Sequence, residues 1–152
     1  IRDRALPADE QTADLQFQIG KLYYGKGTQS DTLTVSLDER KAALVSADSV
    51  FAVIAQAAPD SYLGNFWRAR ANSALDPETT QGLAKPYYEE VAALLVNKND
   101  PRYNSALVEC YSYLGYYYLV ANKLPEPKEY WNKILAIDPV NATAKRALDG
   151  IK

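Results

Sequence analysis

The residues able to do chemistry in this chain are few, and their spacing builds no reaction centre. Two pairs of adjacent carboxylates stand out, Asp9-Glu10 and Glu89-Glu90. Neighbours on a helix point about 100° apart, so neither pair converges as a general acid and base. The single cysteine, Cys110, sits in the apolar run 107–114. It has no second cysteine for an internal disulfide and no metal-type cluster around it, which predicts a buried structural thiol. Histidine is absent. That removes Ser-His and Cys-His nucleophile pairs, histidine metal sites and histidine bases together. No GxGxxG, phosphate loop or GxSxG occurs. Asn141-Ala142-Thr143 has the form of an N-glycosylation acceptor but reads as a helix-starting turn. No catalytic residue, metal or cofactor is expected.

Composition narrows the remaining classes. The 152 residues fit one domain, and 47% hydrophobic with 24% charged residues is ordinary for a soluble chain. Tyrosine is unusual, with 12 copies. Net charge is −2 and Lys and Arg are scattered, so the basic patch of a nucleic-acid binder is missing. No stretch reaches the roughly 18 apolar residues of a membrane helix, and no signal peptide is present. The chain begins at Ile1 and contains no methionine. It reads as an excised piece of a longer protein, with cytoplasm and periplasm both open.

The elements that must carry any surface are helical by period. The first spans about 12–24, with Leu15, Ile19, Leu22 and Tyr23 on one stripe and Gly25 and Gly27 as the stop. Residues 26–36 read as a polar loop. A short strand is conceivable over 32–37, but it has no partner. Ser36 and Glu39 have capping-box spacing and open a helix over 37–57, whose apolar face is Ala43, Ala47, Val50, Phe51 and Ile54. Pro59 closes it. Further helices are expected over 61–74 and 82–96, with Pro86 near the start of the latter. A fifth spans 101–121 behind Asp100-Pro101, and a sixth begins near Pro125–Pro127 and ends at Ile137. Asp138-Pro139 breaks the sixth, and 142–151 forms a last short helix. Short loops between helices predict antiparallel hairpins.

A spaced motif then repeats. Tyr111, Leu114, Gly115 and Tyr118 are followed by Trp131 and Pro139. A small residue suits the crossing of two helices, aromatics fill the space between hairpins, and proline ends the second helix. This pattern resembles the tetratricopeptide repeat (TPR). It departs once, with Pro127 where the family has a small residue. Ile19, Gly20 and Tyr23, then Ala47, Phe51, Ile54 and Pro59, resemble a first unit with a long insertion. Trp67 and Ala71, then Ala84, Tyr88 and Val91, resemble a middle unit, with Arg70 near a position the family gives to Leu. The runs 66–71, 111–122, 130–133 and 141–145 also resemble the C-terminal TPR region of proteins from anaerobic gut bacteria.

The resemblance implies an all-α fold, a right-handed α-solenoid of three helical hairpins plus a C-terminal capping helix. It would be a single domain over 1–152. Repeat 1 would span about 12–59 with an insertion about 25–46, repeat 2 about 61–97, repeat 3 about 101–139, and the cap about 141–152. Ala144, Leu148 and Ile151 would face inward, with Lys145, Arg146, Asp149 and Lys152 in water. The family places the first helix of each pair on a concave groove that receives a peptide or helix of a partner protein. This implies Phe17, Lys21, Tyr24, Asn65, Arg68, Asn72, Glu109, Ser112, Tyr113 and Tyr116 as partner-binding residues. Tyr and Arg suit such a surface. The family's carboxylate clamp finds imitators in Lys21 and Asn72, but Ser112 and Tyr113 do not supply its remaining basic residue. The alternative is an array that packs against the rest of its own chain or forms a homo-oligomer, without a separate ligand.

Overall fold

Among the described residues seven α-helices follow one another along the chain. The computed structural model describes residues 8–29, 34–123 and 126–151. The helices are α1 (Ala8–Gly27), α2 (Leu37–Ala57), α3 (Leu63–Leu75), α4 (Lys85–Lys98), α5 (Asn104–Val120), α6 (Glu126–Ile137) and α7 (Ala142–Ile151). A 3-10 turn, Pro101–Tyr103, leads into α5. No strand occurs among the described residues. Part of the segment 32–37, where a strand was conceivable, lies outside them. The helices group into two compact units, 1–75 and 76–152.

In the first unit α1 packs on α2, and α2 on α3. Helix α1 runs through Gly25, contrary to the expected stop. An exposed glycine costs a helix only about 1 kcal/mol, and the added turn brings Gly27 onto Leu44 of α2. The Thr28 hydroxyl then donates to the Tyr24 carbonyl at 2.8 Å and closes the end. The packing face of α1 also differs from its most apolar stripe. Leu15, Ile19, Leu22 and Tyr23 stay exposed, while Phe17 and Tyr24 pack against the core. Gly20 decides this, because the Phe51 ring lies 2.5 Å from where its Cβ would stand. Only a face with no side chain there admits that ring.

Helix α2 begins with the expected capping box, the Glu39 N–H donating to Ser36 Oγ at 3.1 Å. Ala43, Ala47, Phe51 and Ile54 are buried as the period requires, and Leu44 joins them under Gly27. Helix α3 crosses α2 at Gly64, whose missing Cβ would meet the Ala55 backbone at 2.6 Å.

The second unit opens on a loop wrapped around a buried carboxylate. Asp76 accepts backbone N–H groups from Gln81 at 3.2 Å, Gly82 at 2.8 Å and Leu83 at 3.3 Å. The loop delays α4 to Lys85, three residues past the expected start at 82. Asn99, in the left-handed conformation, ends α4, and Asp100 caps the 3-10 turn that takes the place of the expected first turn of the fifth helix. Leu107, Cys110, Tyr111 and Leu114 of α5 are buried. Gly115 lies against Trp131 of α6, with 2.9 Å from a Cβ position to the indole. Pro127 is fully buried near the start of α6, where a missing N–H is tolerated. Asn141 caps α7 by accepting the Ala144 N–H at 2.9 Å, so the sequon-like triplet is a helix start. Ala144 faces inward, while Lys145, Arg146 and Asp149 are exposed.

The two kinds of glycine respond oppositely to a methyl group. Gly64→Ala drives a methyl group into the Ala55 backbone and is expected to cost about 1–3 kcal/mol. Gly25→Ala meets open space and is expected to stabilise by about 0.5–1 kcal/mol. Urea unfolding of both variants checks the pair.

Candidate protein-binding surfaces

The first unit builds its surface on an aromatic floor. Trp67 of α3 meets Phe17 and Tyr24 of α1 edge-on, with ring centroids at 6.0 and 5.4 Å. Phe51 of α2 lies 5.6 Å from the same indole. Two cations rest on these rings. Lys21 Nζ is 4.7 Å from the Phe17 centroid and 5.5 Å from that of Trp67. The Arg70 guanidinium is 4.7 Å from Trp67 and 4.5 Å from Phe66. Such contacts contribute about 0.5–2 kcal/mol.

Beside the floor sits a polar cluster centred on Asp48 of α2. Arg68 donates to both its oxygens, at 2.9 and 3.2 Å. Asn72 donates to the same carboxylate at 2.8 Å and to the Arg68 carbonyl at 2.9 Å. Of the six positions expected on this unit, Arg68 and Asn72 are thus joined through Asp48. Phe17 and Tyr24 turn partly into the core, Lys21 is exposed above them, and Asn65 is half-buried on α3. Spacing along the chain gave no hint of Asp48, because α2 supplies it from a different helix.

In the second unit the Tyr88 hydroxyl donates to Glu109 at 2.9 Å, and the Tyr88 ring lies 4.8 Å from Tyr113. Burial pushes the Tyr113 hydroxyl above its ordinary pKa, opposed by the Ala84 backbone. Ser112 is half-buried and Tyr116 is 46% exposed. Tyr118 stacks on Tyr130, the planes 5° apart at 5.8 Å. Lys85 lies 5.8 Å from the Tyr117 and Tyr118 centroids and pairs with Glu89 at 3.0 Å. The Glu89 hydrogen bond holds the Lys85 ammonium above its ordinary pKa. An open cleft of about 780 Å³ lies between the end of α4, the start of α5 and the end of α6. Val96, Tyr111 and Lys133 line both it and an adjoining hollow. Sequence reasoning missed this cleft, whose walls come from three helices.

Chemically these surfaces offer cations, hydrogen-bonding groups and aromatic faces. Among the described residues, no cluster of His, Cys, Asp and Glu has the make-up of a metal site. No described helix is long and apolar enough to cross a membrane. Cys110 is buried, which pushes its thiol up to about 12.

No protein-family model matches the chain, and no curated protein does. A solved structure does match: the C-terminal part of a TPR repeat-containing protein from Cytophaga hutchinsonii. It is 34% identical with a TM-score of 0.67, over 92% of this chain and 61% of that one. The chain has the fold of a tetratricopeptide-repeat region. It spans less than two thirds of the structure it matches. The TPR pattern explains the two glycine–aromatic contacts, since Gly20 with Phe51 and Gly115 with Trp131 hold the same motif positions in the first and last repeat-like segments. TPR folds generally serve protein–protein interaction.

Three changes probe the packing behind these surfaces. Asp48→Ala strands two donors at a pair about one-fifth exposed on each side, and is expected to cost about 1–2 kcal/mol. Arg102→Ala, at an exposed pair, should leave the urea midpoint unchanged. For Cys110, the unfolded thiol ionises near 9 and the folded one near 12. The unfolded state therefore sheds its proton first. The thiol's contribution is complete below pH 9 and is lost as pH rises towards 12, by at most about 1.4 kcal/mol per pH unit. Cys110→Ala should flatten that part of the stability–pH curve, read by urea melts at successive pH values.

Proposed function

We propose that this TPR chain is a non-catalytic interaction module that binds a peptide or helix of a partner protein. Binding would use the exposed sides of α1, α3 and α5, the first helices of repeats about 12–59, 61–97 and 101–139. The observation that carries this reading is the arrangement around Lys21. An exposed ammonium stands on two fixed rings, in a unit whose Arg68 and Asn72 are already oriented by Asp48. Side chains held in place before contact lose less entropy on binding. Tyr116, with Ser112 and Glu109 on the same helix, offers the second unit's contribution. Neither a metal nor a cofactor enters this function.

A second reading keeps the chain as a structural array that packs against further polypeptide. It is favoured by one observation, the exposed apolar side of α1.

Selection of peptides from a display library against the whole chain tests the first reading. Lys21→Glu and Tyr116→Ala alter exposed groups, so folding should persist. Each is expected to weaken the selected peptides about tenfold or more, roughly 1.4 kcal/mol, by titration calorimetry. Peptides that bind both variants as well as the parent would place the binding surface elsewhere.

A further inference from the structure

Helix α1 carries an apolar side that the second unit shows how to cover. Leu15, Ile19, Leu22 and Tyr23 are 62%, 46%, 74% and 40% exposed, and their spacing puts them on one side of the helix. Isolated exposed apolar residues are ordinary, but a contiguous stripe marks an interaction surface.

The chain's own repetition supplies the comparison. Gly20 of α1 and Gly115 of α5 do the same work, each admitting a large ring from the following helix. With these glycines aligned, Leu15, Ile19, Leu22 and Tyr23 correspond to Cys110, Leu114, Tyr117 and Tyr118. There Cys110 is 0% and Leu114 1% exposed, and both tyrosines are half-buried.

Helix α4 and the turn before it contribute that cover. Gly82 abuts the Tyr117 ring, with 2.5 Å from its Cβ position. Lys85 lies over Tyr117 and Tyr118. Ala92, Ala93 and Val96 share a hollow with Tyr111 and Leu114. The start of α4 thus meets the end of α5, so the two run antiparallel. Helix α1 has the counterpart of α6, namely α2. Among the described residues it has no counterpart of α4. An apolar outer side is not general to the outer helices, since α7 turns Lys145, Arg146 and Asp149 to water.

We propose that the Leu15–Ile19–Leu22–Tyr23 stripe is a docking site for an amphipathic helix of a partner chain with the chemistry of α4. That helix presents apolar groups at the spacing of Tyr88, Val91, Ala92 and Leu95 and runs antiparallel to α1. Its first turn would fall near Lys26, one turn beyond Leu22. This side is distinct from the one that carries Lys21.

The probe is a fluorescein-labelled peptide with the sequence of residues 82–99, held helical by a side-chain lactam because isolated helices of this length are marginal. Fluorescence anisotropy with the full chain should show saturable binding. L15E/L22E, at two exposed positions, should weaken it about tenfold or more while circular dichroism shows an unchanged fold. Lys21→Glu should leave it within about twofold, which separates this site from the first surface. No saturation up to about 1 mM peptide, or equal binding by L15E/L22E, would overturn the proposal. So would sedimentation equilibrium showing a dimer of the chain alone that L15E/L22E dissolves, because the occupant would then be a second copy.

Discussion

A missing atom at two helix crossings governs the packing of this chain. At Gly20 and Gly115 the helix backbone lacks a Cβ, and an aromatic ring from the next helix takes the space. A ring pressed on backbone brings two helices closer than two ordinary side chains would allow. Close-packed interiors gain dispersion energy only at such distances. Phe51 and Trp131 are therefore positioned by an absence, and the faces that α1 and α5 turn to their partners follow from it. Gly64 against Ala55 applies the same constraint between α2 and α3.

This constraint explains which parts of the fold were legible in the sequence. Helix α2 was bounded correctly because Ser36 and Glu39 announce its start and Pro59 its end. Helix α7 was bounded by Asn141 and Asp138-Pro139 in the same way. The pairing of α5 with α6 was readable from Tyr111 to Pro139, since each residue type there answers a local packing need. Helix α1 was harder. Its hydrophobic period identifies a stripe, but a period cannot say whether bulk or its absence makes the contact. The late start of α4 was also hidden. It depends on Asp76 gathering three backbone N–H groups, and nothing in Asp-Pro alone demands that.

The sequence could place the expected partner-binding residues on their helices but not name the side chains beside them. Arg68 and Asn72 could be placed on one side of α3 by spacing, but Asp48, which orients both, lies on another helix. Lys21 could be read as a surface cation, but the rings beneath it come from α1 and α3 together. Tertiary pairings of this kind leave no periodic trace. The tyrosines show the same division: Tyr111 is buried, Tyr118 is half-buried against Tyr130, and Tyr116 two residues before it remains exposed.

The two tryptophans have a practical consequence. The chain has two, and one falls in each compact unit. Trp67 is half-buried among charged groups and other rings, whereas Trp131 is 3% exposed. An indole in contact with solvent and cations emits at longer wavelength than one sealed in hydrocarbon. Intrinsic emission can thus follow the loosening of each half of the molecule separately, with no dye attached and no residue replaced.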